Sequence, residues 1–193
     1  MPGVPAPAAA FYFDLASPQA YLAAERVLHV LPRAAEWQPV LAGGLGPREQ
    51  PDRDALARSA RELGLQPMRW PDPFPFDSSL AMRVATYAKS IGRTVPFAQA
   101  AFRQAFAGGH SLADPNFVLI AAAACEMHPA AVLAGAELRS IAGQLAACTA
   151  AAAALGVTAV PAIAVGEEVF QGEEAIRDAA AHMAGQSAWA AGN

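Results

Sequence analysis

Residues 8–15 read Ala-Ala-Ala-Phe-Tyr-Phe-Asp-Leu and break off at Ala16-Ser17-Pro18, and that break constrains the chain more than any other feature. A short, apolar, aromatic-rich run is the signature of a central strand. Serine followed by proline is a helix start: Ser17 suits the N-cap, and Pro18 suits the first helical position, where its missing N–H costs nothing. The pattern therefore predicts a strand-to-helix turn with a hydroxyl at its apex. Residues 19–30 follow as an amphipathic helix, with Tyr21, Ala24 and Leu28 at helical spacing and Pro32 closing it.

A second strand is expected over residues 35–41, anchored by Trp37 and Val40. Pro39 cannot donate to a ladder, so this strand belongs at a sheet edge. Two strands joined by one helix suggest a βαβ unit with parallel strands. Three glycines and a proline make residues 42–47 a loop. Residues 52–63 look helical, with Gly64 ending the helix, and residues 70–76 alternate with prolines that force extended backbone.

From there to Leu155 no strand-like alternation occurs. Helices are expected at residues 79–91, 95–107, 114–127 (Asp114 at the N-cap, Pro115 behind it) and 137–155, with Gly156 terminating the last. Strand signals return at residues 160–165, turn at Gly166-Glu167, and run back through residues 168–170 as a hairpin. A final helix is expected at residues 173–183. The order is βαβ, a helical block, then ββα.

Composition narrows the function classes. Hydrophobic residues make up 54% of the 193 and charged residues 16%, which excludes a disordered chain and supports one substantial core. A net charge of -4, without a basic patch, argues against nucleic acid and anionic membranes. The most apolar stretches, residues 118–125 and 141–155, are too short to span a bilayer. Residues 1–10, with three prolines and no positive start, read as a flexible tail rather than a signal peptide. Cytoplasmic residence is the expectation. Cys125 and Cys148 form no Cys-x-x-Cys and are expected to be free, buried and inert. His29, His110, His128 and His182 show no catalytic or metal spacing, so no metal is expected. Tyr12, Phe13, Trp37 and Phe170 suit a core, Arg58, Arg61 and Glu62 a solvated helix face, and Trp70 and Phe74 suit either a core or the walls of an aromatic pocket.

Three motifs carry a family resemblance: FYFDLASPQAYLA at residues 11–23, PFPFDSSLAMR at residues 73–83, and GVTAVPAIAVGEEVFQGEEAI at residues 156–176. Together they resemble 2-hydroxychromene-2-carboxylate isomerases, which belong with the kappa-class glutathione transferases and more distantly with DsbA-type disulfide oxidoreductases. The resemblance implies an α/β fold: a thioredoxin-like βαβ…ββα sheet over residues 8–48 and 156–186, with an all-helical insertion over residues 49–155. It implies that Pro161 follows a cis peptide bond and faces the turn at Ser17. It implies glutathione as cofactor, with Ser17 donating a hydrogen bond to its sulfur, the backbone of Val160 before Pro161 pairing with its cysteinyl part, and its γ-glutamyl end at Gly172, Glu173 and Glu174. The expected activity is a glutathione-dependent isomerisation of an aromatic or unsaturated carboxylic acid by a homodimer.

The chain departs from the family pattern in four places. The DsbA-type Cys-x-x-Cys falls on Ser17-Pro18-Gln19-Ala20, with no sulfur to exchange. Ala175 stands where relatives have an arginine, Asp77 where they have an asparagine, and residues 45–48 lack their lysine and asparagine. Arg48 or Arg53 is left to hold a carboxylate bidentately. A kappa-like transferase and a non-catalytic thioredoxin-like binding protein remain alternatives, and on its own Ser17 is also an ordinary N-cap.

Overall fold

The structure, a computed structural model, describes residues 9–47, 50–172 and 174–191, with side chains as far as residue 185. The first strand, β1 (Ala9–Phe13), alternates buried and half-buried residues. It runs into α1 (Pro18–Ala24), which Ser17 caps by accepting a hydrogen bond from the Ala20 N–H, with Pro18 at the first position as expected. The single helix predicted over residues 19–30 is two: α1 stops at Glu25, and a short α2 (Val27–Val30) follows. Within α2 only Val27 is buried, while Leu28 and Val30 are exposed and Leu31, just after it, returns to the core.

The edge strand β2 (Ala35–Pro39) pairs in parallel with β1, with Phe11 opposite Trp37 and Phe13 opposite Pro39. A 3-10 turn, Ala42–Gly44, sits in the predicted loop. The helical block comprises α3 (Arg53–Glu62), α4 (Ser79–Ser90), α5 (Thr94–Phe106), α6 (Pro115–Ala123), α7 (Pro129–Glu137) and α8 (Arg139–Ala154). The pattern over residues 114–127 overran: α6 ends at Ala123, and Glu126 turns left-handed at φ 59. The extra helix α7 lies in an alanine-rich stretch whose small side chains carry no clear apolar period. Its glycine has a packing reason, because a Cβ at Gly135 would stand 2.4 Å from the Tyr87 ring of α4.

The sheet closes with β3 (Ala162–Val165) and β4 (Glu168–Gln171), an antiparallel hairpin, and α9 (Ala175–Ala191). Strand order is β2-β1-β3-β4, with β3 antiparallel to β1. Pro39 thus lies on an edge strand, where no ladder bond is asked of its nitrogen.

The pleat sends Phe11, Phe13, Trp37 and Ile163 to one face and Tyr12, Val40 and Ala162 to the other. On the first face, Trp37 meets Phe11 and Phe13 edge-on at 4.9 and 5.7 Å, and Phe13 meets Phe102 of α5 at 6.0 Å. Tyr21 of α1 stacks on Phe106 at 5.8 Å. The sheet and the helical block therefore share one aromatic core. Ala152 of α8 and Val157 cover the second face.

Candidate functional site

The site begins with Asp14, which follows β1 and is fully buried at 0% exposure. One carboxylate oxygen accepts the Ala16 N–H at 2.9 Å and the other the Ala42 N–H at 2.9 Å. Burying these polar oxygens without partners would be costly, and the two backbone donors supply them. Asp14 thereby ties the Ser17 turn to the turn after β2, and the Ser17 N–H closes the first of these on the Asp14 carbonyl at 3.0 Å. Thr149 of α8 accepts the Leu41 N–H at 3.0 Å and fixes the second from behind.

Ser17 is half-buried. Its oxygen accepts from Ala20 at 3.1 Å, and its hydroxyl has two acceptors within reach, Gln19 Oε1 and the Val160 carbonyl, both at 3.4 Å. O–H···O bonds favour about 2.7–2.8 Å, so neither acceptor holds this proton firmly. The hydroxyl is anchored as an acceptor and available as a donor.

The Val160–Pro161 peptide bond is cis. Val160 precedes the paired part of β3, whose register with β1 begins at Ala162, so its backbone stands outside the sheet ladder. The segment before it is held by one side chain. Gln171, the last residue of β4, accepts from the Thr158 and Ala159 N–H groups at 2.8 and 3.0 Å and donates to the Gly156 carbonyl at 3.2 Å. At Gly46 a Cβ would stand 2.9 Å from the Thr158 carbonyl oxygen, so the loop after β2 can close against this segment only as glycine.

These parts surround a cavity of about 1100 Å³. Ser17, Val160, Pro161 and Gly172 all line it, as do Arg53 and Phe74. Glu174 is not among its lining residues; its carboxylate pairs with Arg177 at 2.8 Å one turn along α9. Glu173 and Arg48 lie outside the described residues. Trp70 stands behind the wall, with the Arg53 guanidinium over its ring at 4.4 Å and Phe74 edge-on at 5.0 Å. Asp77 borders a second cavity of about 520 Å³, beside Phe76, Gly44 and Thr149, which contains none of the predicted site residues.

Both cysteines are free, Cys125 buried and Cys148 only half-buried, and neither lines either of these two cavities. Burial pushes both thiols above their ordinary value; for Cys148, Lys89 pulls the other way and Glu36 adds to the rise. Among the described residues, no group of three or more His, Cys, Asp or Glu side chains could hold a metal, and no helix is long and apolar enough to cross a membrane. The sequence reasoning missed Asp14 and Gln171. Asp14 carried a signal, an acid closing an apolar strand three residues before a serine-proline pair; Gln171 carried none, since its role depends on the hairpin folding back beside residues 156–159.

A family model for the DsbA-like thioredoxin domain matches residues 9–184. The chain belongs to the DsbA-like thioredoxin family. Among solved structures of this fold, 2-hydroxychromene-2-carboxylate isomerase superposes with a TM-score of 0.82 at 16% identity, covering 95% of this chain and 97% of that one. The cytosolic disulfide reductase DsbM from Pseudomonas aeruginosa, determined with GSH, gives 0.66 at 16% identity over 93% and 98% of the two chains. DsbA from Pseudomonas aeruginosa gives 0.61 at 18% identity over 99% and 89%. A search of curated protein sequences finds no match. The same fold thus carries both oxidoreductases and an isomerase, and at these identities the likeness establishes the fold alone. This chain sets the Ser17 turn against the Val160–Pro161 cis peptide, and the turn residues Ser17-Pro18-Gln19-Ala20 contain no cysteine.

Proposed function

We propose that this protein is a glutathione-dependent isomerase acting on an aromatic or unsaturated carboxylic acid. The observation that carries the reading is a loosely held Ser17 hydroxyl 3.4 Å from the Val160 carbonyl, with both residues on the wall of one cavity. A site with a ready hydroxyl donor and no thiol of its own suits a ligand that brings the sulfur.

The residues present fit glutathione in two respects. The Ser17 O–H can turn from its long contacts toward a sulfur anion, and the backbone at Val160, outside the ladder, can pair with an extended peptide as an added strand. The γ-glutamyl end is assigned to the start of α9, at Gly172, Glu173 and Glu174. Glutathione supplies, when bound, the sulfur nucleophile that adds reversibly to a conjugated double bond and lets it rotate. The protein's part is to favour the charged sulfur and to orient the partners. A thiol with a pKa of about 8.5 is a few per cent thiolate at neutral pH, and lowering that value by about two units makes it roughly three quarters thiolate. The cavity walls formed by Phe74 and Pro75 give an aromatic substrate an apolar surface.

The same reading places the protein in the cytoplasm, where its unpaired cysteines stay reduced, and makes it a homodimer, which light scattering would check. Titration calorimetry tests the core of it: glutathione is expected to bind at millimolar concentration or below, and Ser17→Ala to weaken it about tenfold. No binding at millimolar glutathione overturns the proposal. Turnover of an unsaturated aromatic acid without net glutathione loss is the isomerase result, whereas stoichiometric loss means transfer. One observation favours a binding protein without catalysis: Glu174 pairs with Arg177 and is not among the residues lining the cavity. Binding without turnover across a panel of such acids would support that second reading.

A further inference from the structure

The cavity wall carries a cation, Arg53. Arg53 opens α3, lines the same cavity as Ser17, and rests its guanidinium over the Trp70 ring at 4.4 Å. Trp70 is itself fixed, edge-on to Phe74 at 5.0 Å and to Phe106 at 6.3 Å, and Phe74 is edge-on to Phe106 at 6.3 Å. Phe106 belongs to the fully buried core. A chain of ring contacts therefore runs from the core to the guanidinium. The neighbouring Asp52 lines the same cavity and caps α3 with one oxygen, Oδ1, which accepts the Asp54 and Ala55 N–H groups at 3.0 Å each. None of the ion pairs among the described residues takes Arg53.

A guanidinium lying on an indole uses its face and keeps its edge, where the N–H donors are, for another partner. That edge matches a planar carboxylate with two parallel hydrogen bonds. Phe74, on the same wall and half-buried, offers an aromatic surface next to it. We infer that Arg53 holds the carboxylate of an aromatic acid in this cavity, that Phe74 packs against the acid's ring, and that Trp70 is a positioning residue acting through Arg53. The assignment rests on the proposed function for the location of the sulfur at Ser17, and on the cavity alone for the anion.

The test uses the full chain and two probes of one shape, trans-cinnamate and its neutral amide, cinnamamide, titrated by calorimetry. The wild type is expected to prefer cinnamate about tenfold, the worth of one charge-assisted bidentate contact. Arg53→Gln should bring that ratio close to one without moving cinnamamide affinity. Trp70→Leu should lower the ratio with cinnamamide again unmoved, and Trp70→Phe, which keeps a ring under the cation, should restore most of it. A merely structural tryptophan would move both probes together. Equal affinity of the wild type for both probes, or a preference intact in Arg53→Gln, overturns the inference. Glutathione titrated into Arg53→Gln should bind as in the wild type; a loss there, with cinnamate unaffected, assigns the cation to a carboxylate of glutathione and also overturns it. Should glutathione fail to bind the wild type while the cinnamate preference still follows Arg53, the proposed function falls and this assignment stands.

Discussion

Replacing Asp14 by alanine removes two hydrogen bonds that fasten the Ser17 turn to the turn after β2. Two N–H groups lose their acceptor: that of Ala16, a buried residue, and that of Ala42, which is half-exposed. An orphaned buried donor costs about 1–3 kcal/mol, and one that water can reach costs less, so the substitution should destabilise the fold by about 2–4 kcal/mol. In a chain of this length each kcal/mol moves the thermal midpoint by about 2–4 °C, which gives a drop of about 5–15 °C. Asp14→Asn keeps the shape and one carbonyl oxygen but turns an NH2 group against the other donor, so it should fall roughly midway. Differential scanning calorimetry at neutral pH reads both, and glutathione titration of the folded variants reads whether the turn has loosened. A midpoint drop of under about 2 °C for Asp14→Ala would refute the reasoning, because it would mean the two amides find other acceptors without loss.

Three further outcomes follow from other contacts. Gln171→Ala should cost only about 1 kcal/mol, since water can reach the freed Thr158 and Ala159 amides, yet weaken glutathione binding severalfold by releasing the segment before Val160; equal binding in variant and wild type would detach Gln171 from the site. Gly135→Ala drives a methyl into the Tyr87 ring and should destabilise by about 1–3 kcal/mol, whereas Gly143→Ala, in the interior of α8 with nothing within 4 Å of its Cβ, should stabilise by about 0.5–1 kcal/mol; thermal melts with the opposite ranking would reject the α4–α7 packing. Burial raises Cys125 and Cys148 above the ordinary 9.0, and Tyr12 and Tyr21 above 10.0, so the folded state keeps these protons longer than the unfolded chain. Their contribution to stability is complete below about pH 9 and is lost as pH rises through the folded values; a melting temperature that holds or climbs in that range would contradict it.

What the sequence made legible divides along a physical line. Ser17-Pro18 announced its own turn because an N-cap and the proline behind it are local: the capping bond spans three residues and needs no tertiary partner. The edge placement of Pro39 was legible for the same reason, since a residue without an N–H restricts its position whatever surrounds it. The missed helix α7 is the opposite case. Its alanines carry little periodicity, and the reason for Gly135 sits on Tyr87, far away in the chain. Likewise the predicted helix over residues 19–30 followed spacing alone, while the chain breaks it at Glu25, a residue bound to Arg103 of α5 by two contacts of 2.7 Å.

The candidate site shows the same division at higher stakes. Ser17, Val160 and Pro161 could be named together only through the family resemblance, because 143 positions separate the hydroxyl from the carbonyl it approaches. No periodicity encodes such a meeting. What brings it about is a set of polar ties that each join distant segments: Asp14 to Ala42, Leu41 to Thr149, and Gln171 to residues 156–159. Each of these ties fixes a segment that borders one of the two cavities. The chemistry at such a turn is then decided by very few atoms. Under the proposed function, a hydroxyl and a methyl at positions 17 and 20 leave the sulfur to be brought by a ligand, where thiols at those positions would suit dithiol exchange, and the fold itself need not change for the activity to do so.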